Sequence, residues 1–496
     1  MTVFMATAQT DAYKLFHKKA YHPEITHVYS NFTSRSGKLS YTKDGVVFVG
    51  LQYFIKDVLI DEWNNTFFKL PKHLAIINLK RVTDSMLGFD YDASHFEQLH
   101  DLGYLPISIK ALPEGVLVPY GVPPVTFFNT IKGFQWLTNY IETVFSTENW
   151  PIQTSATTAR EYLKNTINMF NKIGEPLDLV PFMCHDFSFR GCFGRHAAAM
   201  SGFGHLTSFA GTDTLPAILF AEKYYNADCT KELVGVSVPA TEHSTATSYI
   251  VSISEELDIT KLQAEIKYVE YLMEQVPTGI VSHVSDSFDF WEFVKTGLPA
   301  LKNKILARDG KLVIRPDSGD PVLILCGDPD SSIPEERKGL IECLYDIFGG
   351  TMSGNGYILL EEHIGAIYGD SITIERQQEI YERLLAKGFA PTVILGIGSF
   401  SYQFVTRDTH GSAVKATSIK KANKDIDVFK DPKTDSKKKS AKGLLRVEKE
   451  NNTFVLYDQQ TSAQEAKGEL SPVFLNGKLL RETSLEEIRN NVLASL

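Results

Sequence analysis

Between about residue 175 and residue 400, short β-branched apolar runs alternate with longer stretches of helical period, and nearly every apolar run stops at a dense polar cluster. That alternation is the pattern of βα units joined into a parallel sheet. The runs LVGVSV (233–238), GIVSHV (279–284), KLVIRP (311–316), GAIYG (365–369) and VILGIG (393–398) predict strands. ITKLQAEIKYVEYLMEQV (259–276) and ERQQEIYERLLAKG (375–388) predict helices, because their apolar residues recur at spacings of three and four. Six or more such units favour an irregular parallel β/α barrel over an open sheet. In a parallel barrel all strand carboxyl ends open on one face, so clusters far apart in sequence converge there.

The flanks read differently. THVYSNFTS and GVVFVGLQYF near the start, and TFVLYD near the end, predict strands with aromatic, alternating patterns. The expected organisation is therefore α/β: a catalytic barrel over 151–400, and a second mixed α+β domain built from both chain ends, 1–150 and 401–496.

Composition narrows the function. A formal net charge of -10 argues against a dedicated nucleic-acid binder, although local Arg clusters and helix termini still bind anions. The five cysteines form no C-x-x-C pair, so neither a zinc site nor a redox motif is indicated. The first residues lack a basic stretch followed by an apolar one, and the apolar stretch Gly115 to Phe128 is broken by prolines and glycines. The cytoplasm, with no membrane association, is the expectation. The lysine-rich run 430–443 has three readings: a solvated loop, a localisation signal, or a loop facing phosphate.

The polar clusters carry the chemistry. In chain order they are HDFSFRG (185–191), GTDT (211–214), PATEHST (239–245), SDSFD (285–289), RPDSGD (315–320), GD (369–370) and GIGS (396–399). Asp213 reads either as a helix N-cap ahead of LPAILF or as a hydrogen-bond acceptor for a ligand. Arg190 and Arg315 read either as halves of ion pairs with Asp186 and Asp317 or as planar donors to an anion or carbonyl. Asp286 and Asp317 read as turn acids or as holders of hydroxyls and metal-bound water. His243 reads as a hydrogen-bonded strand-end residue or as a nucleophile. Gly369 and Gly398 would let backbone approach a ligand closely. There is neither a Walker A motif nor a GxGxxG fingerprint.

Together with TDAYK (10–14), TRD (406–408) and the downstream VFKDP, these clusters occur in the order found in nicotinamide phosphoribosyltransferases, and the chain resembles that type II phosphoribosyltransferase family over nearly its whole length. The resemblance implies condensation of nicotinamide with phosphoribosyl pyrophosphate, giving nicotinamide mononucleotide and pyrophosphate in NAD biosynthesis. It implies Mg²⁺, held through pyrophosphate and water rather than by direct protein ligands, and ATP as co-substrate acting through a phosphohistidine at His243. Phe187 and Tyr13 would wall the pyridine ring, Asp213 would accept the amide N–H, and Arg190 and Arg315 would contact ligand. Asp286 and Asp317 would serve ribose and the metal's water shell. Arg35, Gly369, Asp370, Gly398, Arg407, Lys415 and Lys438 would line the ribose and phosphates. Ser399 departs from the family's continuous glycine run, which puts phosphate contacts there in doubt. Tyr13, Arg407 and Lys415 would reach the neighbouring subunit's site in a homodimer with active sites at the interface. The nearest alternative is a nicotinate phosphoribosyltransferase; a side-by-side assay of the two pyridines separates them. A non-catalytic metabolite-binding protein on the same fold is the third reading.

Overall fold

The computed structural model describes residues 4–369, 371–430 and 440–496. Asp370 and Lys438, with most of the lysine-rich run, lie outside the described residues. The chain divides into two compact units, one comprising Thr158–Leu219 and Cys229–Phe404, the other Met1–Thr157, Phe220–Asp228 and Val405–Leu496.

The first unit is built on a six-stranded parallel sheet in the order Gly211–Thr212, Cys184–Asp186, Ile394–Ile397, Ile364–Tyr368, Asp309–Arg315 and Thr278–Val284. Its two edges meet a common neighbour, since Gly211 bridges Val236 and Ala240 bridges Ser282, both in parallel sense. The 236–240 segment is thus a seventh stave, and the staves follow one another around the barrel in chain order. The strand expected at 233–238 is reduced to these bridges. The reason is local: Gly235 weakens a strand and Pro239 has no N–H to give a ladder. The remaining staves are short apolar runs such as Leu312, Val313 and Ile314, all buried, as expected where helices cover a parallel sheet.

The helices between staves follow the sequence pattern. Lys261–Gln275 opens on a capping box, in which Thr260 Oγ1 accepts the Gln263 N–H at 3.2 Å and Gln263 Oε1 accepts the Thr260 N–H at 3.0 Å. It buries Ala264, Tyr268, Val269 and Met273 on one face. Ile374–Ala386, capped by Thr373, buries Ile374, Gln377, Ile380, Tyr381 and Leu384. No helix among the described residues is long and apolar enough to cross a membrane.

The second unit carries an antiparallel seven-stranded sheet ordered Lys424–Asp427, Ala413–Lys421, Ile25–Thr33, Val125–Asn129, Ile107–Ala111, Ser471–Leu475 and Lys478–Leu479. Both chain ends contribute to it. The strand expected across GVVFVGLQYF is limited to Val46–Val47, and from Leu51 the backbone is helical. The switch is made at Gly50, whose φ of 103° favours glycine, and by the buried Glu114 carboxylate, which accepts the N–H groups of Gly50 and Gln52 at 2.8 and 2.6 Å. Glu114 also accepts the Tyr225 hydroxyl at 2.9 Å, and the rings of Phe220 and Tyr224 lie 4.7 and 4.9 Å from that of Tyr53. Those contacts hold Phe220–Asp228 in this unit, although the sequence around it belongs to the barrel.

Candidate active site

At the carboxyl mouth of the barrel, side chains from several staves touch in an unbroken series that crosses the mouth from Phe187 to Arg315. Asp213, after Gly211–Thr212, accepts on Oδ1 from His185 Nε2 at 2.8 Å and from Ser237 Oγ at 2.5 Å. His185 lies against Phe187, with ring centroids 4.7 Å apart. The Arg315 guanidinium sits over the Phe187 ring, its Cζ 5.3 Å from the centroid, a cation–π arrangement. Arg315 Nη2 is 3.4 Å from Asp317 Oδ1, and the Asp317 N–H donates to Asp286 Oδ2 at 3.0 Å. Asp286 Oδ1 then meets His243 Nε2 at 2.9 Å.

Two glycines make room for this series. A Cβ on Gly396 would fall 2.5 Å from the Phe187 ring, and one on Gly369 would fall 2.4 Å from Asp317 Oδ1 and 3.0 Å from Arg315 Nε. At Gly398 no heavy atom lies within 4 Å of such a carbon and φ is -90°, so neither packing nor backbone demands glycine there. Ser399 is accommodated by Gly191: a Cβ on Gly191 would lie 2.0 Å from Ser399 Oγ, so the hydroxyl fills the space that the other glycine leaves.

The electrostatics sort the acids. Burial pushes the Asp213 carboxyl up, but the hydrogen bonds from His185 and Ser237, with the charges of His185 and Arg315, outweigh it and hold the group below its ordinary value. Asp213 keeps 46% of its side chain exposed, and its helix begins only at Leu215, so the carboxylate faces the mouth rather than capping the helix. Asp286 is only 5% exposed. Burial raises it too, and hydrogen bonds from Ser318, the Asp317 N–H and His243 more than compensate. Both its oxygens are engaged within the protein, which leaves Asp317 as the freer carboxylate of the pair. Arg315 is 11% exposed and its Nε is buried with no partner among the described residues. An unmet guanidinium donor in a buried place is costly unless a ligand takes it.

His243 is the first residue of helix His243–Leu257, where the free N–H groups and the helix dipole favour an anion. Its side chain is 45% exposed. Arg190 is exposed and makes no ion pair among the described residues, so the pairing with Asp186 is absent; Asp186 Oδ1 accepts the Ser188 N–H instead, at 2.9 Å.

The other unit gathers Tyr13, Arg35, Arg407 and Lys415. Tyr13 is 70% exposed, with its hydroxyl 3.2 Å from Asp11. Arg35 Nε donates to the Gly411 carbonyl at 2.7 Å, and Arg407 is 57% exposed. Burial lowers the Lys415 ammonium; Glu142 opposes this, while the nearby charges of Arg35, Lys430 and Arg407 add to it. This is a cationic patch with an aromatic beside it.

Sequence reasoning missed His185, Ser237, Ser318 and Gly396 as parts of the mouth. Each lies inside a polar cluster or at its strand, but the partner that gives it a role is 24 to 32 residues away for the first three.

Comparison with known proteins gives the family of the chain. Residues 182–477 match the nicotinate phosphoribosyltransferase family, and residues 5–64 match the nicotinamide phosphoribosyltransferase N-terminal domain. A nicotinamide phosphoribosyltransferase from Acinetobacter baylyi is 46% identical, with 98% of this chain and 96% of that protein covered. One from Xanthomonas campestris pv. campestris is 31% identical, over 97% and 96%. In fold, the chain is similar to nicotinate-nucleotide pyrophosphorylase from Pyrococcus furiosus, with TM-score 0.57, 15% identity and coverage of 100% and 98%. It is also similar to human nicotinic acid phosphoribosyltransferase, with TM-score 0.52, 14% identity and coverage of 98% and 93%. The barrel, its mouth and these matches define a phosphoribosyltransferase, an enzyme that transfers a pentosyl group. Within that class, the chain belongs to the nicotinamide phosphoribosyltransferase family.

Proposed function

We propose that the protein joins nicotinamide to phosphoribosyl pyrophosphate, releasing pyrophosphate and nicotinamide mononucleotide for NAD biosynthesis in the cytoplasm. The observation that carries this reading is the Asp213 carboxylate, ionised and half-exposed, beside an aromatic wall topped by a guanidinium. A neutral pyridine amide meets all three features: its ring lies on Phe187, its N–H donates to Asp213, and its carbonyl accepts from Arg315. Nicotinate would bring a second negative charge to Asp213 and lacks the N–H that the carboxylate needs.

In the reaction the pyridine nitrogen attacks the anomeric carbon as its bond to pyrophosphate breaks, and no covalent enzyme adduct is required. The carboxylates at the mouth favour the positive charge that develops on the sugar, and cationic side chains favour the departing anion. Asp317, with Asp286 committed to His243, is the acid suited to hold the water shell of Mg²⁺, which neutralises charge on pyrophosphate when bound. Gly369 and Gly398 give backbone access to ribose and phosphate.

ATP acts at His243. In the tautomer that donates Nε2–H to Asp286, Nδ1 carries the lone pair; it attacks the terminal phosphorus of ATP while the bond to the ADP oxygen breaks. The phosphoryl group then lies at a helix N-terminus, and water later removes it. Tyr13, Arg407 and Lys415, which are held in the other unit, complete the partner's site in a homodimer.

The test is direct: incubate the protein with phosphoribosyl pyrophosphate, Mg²⁺ and either pyridine, with and without ATP, and identify the nucleotide by mass. Preferential formation of nicotinamide mononucleotide supports the assignment. Preference for nicotinate would reverse the reading of Asp213.

A further inference from the structure

We infer that His185 is a positioning residue that sets the preference for an uncharged pyridine, by locking one oxygen of Asp213 and leaving the other to the amide. The inference rests on the pyridine pocket proposed above and assigns a new residue within it.

The geometry has three parts. His185 and Ser237 stand on staves to either side of Gly211–Thr212, the strand that carries Asp213, and both donate to the same atom, Asp213 Oδ1. Two donors on one oxygen from opposite flanks fix the carboxylate's rotation, because turning it would break both bonds. The same imidazole lies tilted by 37° against the Phe187 ring, so one side chain supports the pyridine wall and aims the acceptor beside it. Finally, His185 is 9% exposed and Gly211 clears space for it: a Cβ there would fall 2.9 Å from His185 Nδ1. The imidazole therefore has little room to swing away.

A neutral amide and a carboxylate differ at this acceptor by one donor and one charge, so discrimination depends on Oδ2 being both ionised and aimed. Without the His185 donor, the carboxylate rotates and burial is less opposed in favouring its protonated form. A protonated or turned Asp213 gives the amide a poorer partner and repels nicotinate less.

The experiment compares wild type with His185→Ala, His185→Gln and Ser237→Ala, after confirming folding by thermal melting. It measures KM for nicotinamide, KM for phosphoribosyl pyrophosphate, and the ratio of kcat/KM for nicotinamide to that for nicotinate. For His185→Ala, nicotinamide KM should rise by about 10- to 100-fold and the ratio should fall by at least about 10-fold, since a hydrogen-bonding site loses discrimination when its acceptor is misaligned. The KM for phosphoribosyl pyrophosphate should change by less than about twofold, because the change is confined to the pyridine end. His185→Gln, which keeps an N–H at similar reach, should recover most of the ratio. If His185→Ala does not fold, Ser237→Ala carries the test and should lower the ratio in the same direction. Both KM values rising in step, an unchanged ratio, or a His185→Gln variant no better than His185→Ala would overturn the inference. Wild-type protein that makes no nicotinamide mononucleotide would remove the pocket itself, an outcome distinct from a selective wild type whose variants are equally selective.

Discussion

His243 and Asp286 meet at 2.9 Å across two neighbouring staves of the barrel, and the second oxygen of the same carboxylate is held by the Asp317 N–H and the Ser318 hydroxyl. An acid so held cannot turn away from the imidazole. It favours one tautomer of the imidazole, so the phosphoryl uptake from ATP proposed for His243 should depend on it. Asp286→Asn should lower ATP hydrolysis by about 100-fold or more, the lower end of what a positioned acid–base group contributes. Steady-state ADP release measured beside nucleotide formation checks this, and undiminished hydrolysis would detach Asp286 from the ATP step.

Gly396 tests the aromatic wall without touching a polar group. Its missing side chain is what allows the Phe187 ring to occupy its place, at 2.5 Å from the carbon that alanine would add. Gly396→Ala should cost about 1 to 3 kcal/mol of stability through overpacking. Nicotinamide KM should rise more than KM for phosphoribosyl pyrophosphate. Denaturant titration and substrate kinetics give the two numbers, and an unchanged nicotinamide KM would mean that the ring is not a wall.

Ser399 and Gly191 form a compensating pair. Gly191→Ala alone should be destabilised, because the added carbon would meet Ser399 Oγ at 2.0 Å. Adding Ser399→Gly should restore most of the lost stability, since the clashing hydroxyl is removed. Equal melting temperatures for the single and double variants would show that the two residues are not coupled.

Acid should destabilise the protein before the carboxylates titrate. Burial holds His95 and His410 at about 4, against an ordinary value of 6.5; at His95 the charges of Lys18 and Lys19 add to this and Asp92 opposes it. Both are neutral when folded and charged when unfolded through that interval. The unfolded chain therefore binds more protons between pH 6.5 and 4, and stability falls as pH is lowered through it. Each contributes up to about 3 kcal/mol at pH above 6.5, a contribution lost by pH 4. Unfolding free energies from pH 7.5 to 4.5 should show the slope, and His410→Gln should flatten it; a slope unaltered by that change would place the proton uptake elsewhere.

The barrel was legible because buried parallel strands are continuous apolar runs, as in KLVIRP, and because helices such as Lys261–Gln275 announce themselves by capping residues and period. The strand expected at 233–238 shrinks to a bridge at Val236 because LVGVSV reads, in sequence, like any short apolar run. His185 went unseen for another reason: nothing in HDFSFRG shows that its imidazole reaches a carboxylate 28 residues on. The fate of Phe220–Asp228 was equally hidden, since helix Leu215–Tyr225 has an unbroken pattern and only Glu114 and Tyr53 reveal which core receives its end.

In the antiparallel sheet, strands Ile25–Thr33, Val125–Asn129 and Ile107–Ala111 form a central trio, and both flanks are supplied from beyond residue 412. As the chain leaves the ribosome, that trio waits with two open edges while nearly three hundred residues are made. Unpaired edges invite pairing with other chains. Loss of the last strands, as in a premature stop, should therefore yield insoluble protein rather than a soluble enzyme with a weakened site.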